Sequence, residues 1–238
     1  MADVGPGPAS PNEFDAYADD YDAQLQVGLS ITGESRDYYA RGRALWLAGR
    51  LAQLGFQPRI ALDYGCGTGS ATPFLVGNIG VERVIGVDVS AESIRVARTR
   101  FSGAPASFAL VGDVAPLASI DLAFCNGVFH HISPAERARS VEYVFSALRP
   151  GGIFAFWENN PWNPGTRYVM KRVAFDRDAI TLTPPESRAL LRAAGFQVLQ
   201  TDFLFIFPAV LRLLRWIEPM VAALPFGGQY LVLCRKAS

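Results

Sequence analysis

The chain has 238 residues, half of them apolar, with 22 basic side chains balanced by 22 acidic ones. So much apolar surface excludes a disordered chain, and zero net charge argues against a nucleic acid or other strongly electrostatic partner, although Arg outnumbers Lys twenty to two. Three dispersed cysteines, Cys66, Cys125 and Cys234, exclude a disulfide framework and a CxxC metal knuckle.

Residues 1–11 are rich in Gly, Pro and Ala and lack the apolar run of a signal peptide. They read as a disordered leader before a single domain over 12–238. Helical periodicity follows at 12–24 and 35–54, which together make an N-terminal helical cap over 12–55. The pattern then switches. Residues 59–64 form a short apolar strand ending in a glycine cluster, with a helix-compatible stretch from Ser70. Residues 83–88 are a second strand, followed by a helix over 90–100. Strands are predicted at 107–111, 121–126 and 152–158. Before the last of these, Ser133-Pro134-Ala135-Glu136 has the form of a capping box and predicts a helix running to Leu148. Thr183 caps a helix over 184–194 that stops at Gly195. Residues 196–207 and 229–235 are a closing antiparallel pair. The segments 159–182 and 208–228 are insertions on the substrate side.

Strands alternating with helices of 10–15 residues predict an α/β fold: a Rossmann-like, seven-stranded, mostly parallel sheet with one antiparallel strand and helices on both faces. The most apolar stretch, 203–224, is broken by Arg212, Arg215, Glu218 and two prolines. No membrane span is predicted, and the chain reads as soluble and cytoplasmic.

The run Asp63-Tyr64-Gly65-Cys66-Gly67-Thr68-Gly69 lies where the first strand passes into a helix. Glycines there let the backbone run close under a ligand, and the helix start presents N–H groups to an anion. A dinucleotide fingerprint wants Gly or Ala at its last position, where Ser70 stands, so the match is imperfect. Asp88 ends the second strand 19 residues after Gly69, where a carboxylate can accept both ribose hydroxyls.

In these motifs the sequence resembles the class I S-adenosylmethionine-dependent methyltransferases of the small-molecule type. The resemblance rests on LDYGCGTG at 62–69, GVDVS at 86–90, VGDVAPL at 111–117, DLAFCNGVFHHIS at 121–133 and LRPGGIFAF at 148–156. It spans roughly residues 14–235 and does not specify a substrate. It implies S-adenosylmethionine as cofactor, with S-adenosylhomocysteine as product. Gly65, Gly67 and Gly69 would underlie the methionine part, with Asp63 as its anchor. Asp88, with Val89 beside it, would hold the ribose. Asp113 would take the adenine amino group, with the Val114 amide at the ring edge. Asn126 would lie near the sulfonium, and Tyr17 and Tyr21 would close over the cofactor.

Methyl transfer from a sulfonium is mainly a matter of alignment. A hydroxyl or ammonium acceptor must also lose a proton, which suits histidine. The chain has only His130 and His131, adjacent and just beyond the fourth strand. His131 is the expected base, His130 a substrate contact, and Glu158 the rival base. Trp157, Asn160, Trp162 and Tyr168 are the expected walls of an acceptor site beneath a lid loop. Some methyltransferases carry an E-x-x-E-H metal set after the fourth strand. Here those positions read Gly127, His130 and His131, two hard carboxylates are missing, and no metal is expected. The expected reaction is methyl transfer to a small, partly apolar metabolite at oxygen or nitrogen. Other sulfonium chemistry on the same fold, a non-catalytic cofactor-binding regulator and a nicotinamide enzyme stay open. Residues 209–224 read as core, an acceptor pocket, a homodimer face or a lipid-surface helix.

Overall fold

The computed structural model describes residues 32–116, 118–173, 176 and 179–237. The helix expected at 12–24, with Tyr17 and Tyr21, lies outside them. The first helix, α1 (Arg36–Gln53), begins where the Ser35 side chain accepts a hydrogen bond from the Tyr38 amide. One stripe of α1 carries Ala44, Leu47 and Leu51 into the core. Its polar anchor is Asp202, whose two carboxylate oxygens accept from Arg50 at 2.8 and 2.9 Å, with Trp46 Nε1 donating at 2.8 Å.

Seven strands follow: β1 (Ile60–Tyr64), β2 (Arg83–Asp88), β3 (Ala106–Leu110), β4 (Ile120–Asn126), β5 (Leu148–Asn159), β6 (Phe196–Leu204) and β7 (Gln229–Lys236). They form one sheet in the order β3-β2-β1-β4-β5-β7-β6. Only β7 runs antiparallel to both of its neighbours, as the expected fold class requires. Strands β1, β4 and β5 are apolar almost throughout because helices cover both faces of a parallel sheet. The core therefore splits into two clusters. One lies around Phe129, Phe154 and Tyr230, and the other around Leu47, Leu122 and Trp157. The chain reverses its winding between β1 and β4, so the loops after these two strands flank the switch-point crevice, where such sheets bind ligands.

Several local features differ from the sequence expectation. The helix from Ser70 is short, α2 (Thr72–Phe74), and continues as a π-helical turn over Leu75–Ile79. The next helix, α3 (Ala91–Arg100), is capped by Ser90 as expected. The box at Ser133 does not cap a helix. Ser133 Oγ bonds the Glu136 carboxylate at 2.7 Å within a turn, and α4 (Arg137–Ala147) begins one residue later. A complete capping box instead opens α6 (Pro184–Ala193), between Thr183 and Glu186. Ahead of it, α5 (Pro164–Met170) is capped by Asn163.

Strand β6 stops three residues early because Phe205 takes a left-handed backbone, φ +62°, which is costly for a bulky residue. Its ring leaves the sheet line and packs edge-on against Tyr39 at 4.9 Å.

Apart from the buried Ala222, the segment 209–224 is not core. It forms a 3-10 run over Ala209–Ile217 and the short α7 (Glu218–Val221), with Val210 86%, Leu213 83%, Trp216 72% and Met220 76% exposed. No described helix is long and apolar enough to cross a membrane.

Candidate active site

Two cavities meet at the switch point. The smaller, of about 90 Å³, lies over the glycine loop between β1 and α2. The larger, of about 360 Å³, is enclosed by α1, the loops after β4 and β5, α5 and the Phe205–Pro208 turn. Arg36, Arg43 and Asn126 line both, so the two chambers share a wall.

The glycine loop is built as the sequence predicts. Gly65, Gly67 and Gly69 all have positive φ. A Cβ on Gly65 would lie 2.3 Å from a Val128 methyl, whereas one on Gly67 would meet nothing within 4 Å. Gly65 is thus required by packing, and Gly67 leaves open the space that a ligand would take. Asp88 shapes this loop directly. Its carboxylate accepts from the Gly67 amide at 2.8 Å and the Ser90 amide at 2.9 Å. Beside it, Asp63 is buried on the floor of the smaller cavity. Burial, reinforced by Asp88 and opposed by Arg43, pushes its pKa up to about 7.

Asp63 Oδ2 and Asn126 Oδ1 are buried and have no hydrogen-bond partner among the described residues. Two such acceptors call for a ligand that donates N–H groups. An ammonium fits that demand, and the Arg36 and Arg43 guanidiniums on the shared wall suit a carboxylate. Together they match the amino-acid end of S-adenosylmethionine. The sequence reading missed both arginines because they lie on a helix far upstream of the motifs. Val89 and Asp113 are exposed and Val114 is half-buried, and none of the three lines either cavity. The Val114 carbonyl accepts from Tyr143 Oη at 3.0 Å.

The larger cavity holds an ordered polar cluster. His130 Nδ1 donates to Glu158 Oε2 at 2.6 Å, and Glu158 Oε1 accepts from the Phe129 amide at 2.7 Å. His130 Nε2 lies 3.4 Å from Asp176 Oδ1, and His131 Nε2 lies 3.2 Å from the same oxygen. Burial alone would lower the His130 pKa, but the Glu158 and Asp176 carboxylates outweigh it and hold it up at about 10. Asp176 resists the upward push of burial through its bonds to both histidines and is held down at about 2. His130 is therefore a fixed imidazolium between two carboxylates. His131, half-buried, faces the cavity with Asp176 behind it. Asp176 escaped the sequence reading because no motif surrounds it.

The remaining expected residues separate. Tyr168 lines the larger cavity, as does His130. Glu158 is only 1% exposed and has both oxygens engaged, so it orients His130 and cannot meet an acceptor. Trp157 is fully buried in the cluster under α1, because its place on β5 points it to the opposite sheet face. Asn160 is also buried, and its side-chain amide bonds the Pro225 and Gly227 carbonyls. Trp162 is half exposed, outside both cavities. Trp157, Asn160 and Trp162 are thus not walls of the cavity. Their places are taken by Tyr39, Phe205, Ile206, Phe207 and Met170.

A doubly wound sheet with a glycine loop and an acid on β2 defines a nucleotide-type cofactor fold. Comparison with known proteins narrows this. Residues 61–152 match the family model described as a methyltransferase domain. A trans-aconitate 2-methyltransferase of Rhodopseudomonas palustris (strain BisB18) is 34% identical over 126 residues, covering 52% of this chain and 48% of that protein. Another from Acidovorax sp. (strain JS42) is 26% identical over 175 residues, covering 68% and 67%. The chain thus spans about half the length of the first of these relatives.

Among solved structures, the 1,6-didemethyltoxoflavin-N1-methyltransferase of Burkholderia thailandensis, with bound 1,6-didemethyltoxoflavin and S-adenosylhomocysteine, superposes with a TM-score of 0.58. It is 23% identical, with 99% of this chain and 94% of that chain covered. An S-adenosylmethionine-dependent methyltransferase from Mesorhizobium loti gives a TM-score of 0.55 at 22% identity, covering 76% and 91%. Residues 61–152 thus match a methyltransferase domain, and the chain is similar in sequence to proteins named methyltransferases and in fold to S-adenosylmethionine-dependent methyltransferases.

Proposed function

We propose that this protein transfers the methyl group of S-adenosylmethionine to a small, partly apolar metabolite whose accepting oxygen or nitrogen loses a proton. One observation carries the reading. His131 Nε2 is paired with Asp176 at 3.2 Å on the wall of a cavity that shares Asn126 with the cofactor chamber. When bound, the cofactor supplies an electrophilic methyl on sulfur. Asp63, Asn126, Arg36 and Arg43 hold its amino-acid end, and Asp88 its ribose. Aromatic and aliphatic walls from Tyr39, Tyr168, Phe205, Ile206 and Phe207 exclude water and seat the apolar body of the acceptor. His131, oriented by Asp176, takes the proton, while His130 and Glu158 fix the turn on which His131 stands.

A second reading has its own support. The relatives named above are called trans-aconitate methyltransferases, and Arg36 and Arg43 present two guanidiniums to the acceptor cavity. A carboxylate acceptor would already be ionised and would need no base. Incubation with methyl-labelled cofactor and a panel of hydroxyl, amine and polycarboxylate compounds separates the two. A label only on polycarboxylates would replace the first reading with the second, and no labelled product from any compound or from cell extract would overturn both.

The cofactor half yields two expectations. Asp88→Ala should weaken S-adenosylmethionine binding by about 1.5–3 kcal/mol, the scale of hydrogen bonds to a charged group. Calorimetry on the folded variant checks this, and an unchanged affinity would remove Asp88 from the ribose site. Asp63, whose pKa burial pushes up to about 7, must be ionised to pair with an ammonium. Binding below that pH therefore releases a proton, so affinity should rise from pH 6 to pH 7 and level off above it. The Asp63→Asn variant should show weak binding with a flat profile over the same range.

A further inference from the structure

We propose that His130, His131 and Asp176 form a binding site for a transition-metal dication, and that filling it switches off proton removal by His131. The donor atoms are His130 Nε2, His131 Nε2 and Asp176 Oδ1, and all lie within 4.8 Å of one another. The two nitrogen-to-oxygen separations are 3.4 and 3.2 Å. Donors bound at about 2.0–2.1 Å stand about 3.0 Å apart at an octahedral angle and about 3.4 Å apart at a tetrahedral one. The two nitrogen-to-oxygen separations are therefore already those of a loaded site, and the two ring nitrogens, which lie within 4.8 Å of each other, would draw together to the same spacing as the ion binds.

The surrounding shell also suits a metal. Ligating histidines commonly give their other ring N–H to a carboxylate, which fixes the ring and aims the free nitrogen. His130 does this with the buried Glu158 at 2.6 Å, and Glu158 is itself fixed by the Phe129 amide; the proton that His130 Nε2 holds toward Asp176 is released to solvent as the ion binds. Two imidazoles with one carboxylate and no thiolate favour zinc, iron(II), cobalt or nickel over magnesium. All three ligands face the larger cavity, so an ion there keeps open positions. The expectation of no metal weighed only the positions around Gly127. The carboxylate instead comes from Asp176, 46 residues beyond His130 in the chain.

The inhibitory half rests on the methyl-transfer reading: His131 donates its Nε2 proton to Asp176 and would take a proton at Nδ1, and an ion on Nε2 leaves the ring's one proton on Nδ1, which closes that lone pair. The binding half does not. Titrating the metal-free chain with Co²⁺ should give visible absorption bands saturating at one equivalent. The bands should be absent from Asp176→Asn and from His131→Ala, each verified as folded by near-ultraviolet dichroism. Zn²⁺ should displace the cobalt and, over the same range, lower methyl transfer by about 10²-fold, with full recovery on adding a chelator. Absence of bands in the folded wild-type chain would overturn the site. Bands combined with unchanged or raised activity would keep the site and overturn the inhibition. Activity lost to a chelator and restored by metal would overturn the role given to His131 as a free base.

Discussion

His131→Ala should lower kcat by about 10² to 10⁴-fold while leaving cofactor affinity close to that of the wild type. The expectation comes from geometry. The ring stands in the turn after β4, is paired with Asp176 at 3.2 Å, and faces the larger cavity without touching the glycine-loop chamber. A residue in that position acts on the acceptor and not on the cofactor, so the loss should fall on kcat and spare the calorimetric Kd. The Asp176→Asn variant keeps the shape but weakens the grip on the ring, and should give an intermediate loss. Near-normal kcat in His131→Ala, with the variant folded, would point to a carboxylate acceptor held by Arg36 and Arg43 and to alignment alone.

The glycine loop and the acid that bonds it were legible because their physics is local. A glycine loop closing a strand, and a carboxylate ending the next, sit within 26 residues and are written as contiguous motifs. The acceptor side is assembled from elements distant in the chain. Asp176 meets His130 from 46 residues away, and Gln229 accepts from Arg43 Nη1 across 186. No spacing rule joins such pairs. Trp157 shows a different limit. A strand buried on both faces lacks the polar alternation that would reveal which way each side chain points, so the indole could not be assigned to a face. The capping box at Ser133 fails for a third reason. Its Ser and Glu bond each other, and the helix starts only after them. The apolar run 209–224 looked like core by composition, yet its largest side chains face outward from a 3-10 run with no described element above them.

Glu158→Gln should be the most destabilising of the conservative substitutions near the site, costing about 3 kcal/mol at neutral pH. The reason is what it leaves behind. His130 is only 3% exposed, and its imidazolium is sustained by Glu158 at 2.6 Å and, more weakly, by Asp176 at 3.4 Å. Removing one charge from a buried pair strands the other, a larger loss than the net worth of the pair. The glutamine oxygen can still accept from Nδ1, but its NH2 then faces the Phe129 amide, so the change removes that hydrogen bond together with the charge, and the pH profile isolates the charge. The pH dependence gives a second, independent readout. His130 has its folded pKa raised to about 10, above the 6.5 of an unperturbed ring. Its contribution to stability is therefore complete below pH 6.5 and declines as the pH climbs toward 10. Asp176 is depressed to about 2, so its own contribution is complete above pH 3.8 and fades only in strong acid. Between pH 4 and 6.5 both are intact, and the alkaline limb belongs to His130. Urea midpoints of the wild type should fall steadily from pH 7 to pH 10. In Glu158→Gln the ring loses its main partner and gives up its proton sooner, so the decline should begin from a lower midpoint and finish at lower pH. Equal midpoints and superimposable profiles for the two proteins would show that His130 is neutral in the fold and that Glu158 serves only as a hydrogen-bond acceptor.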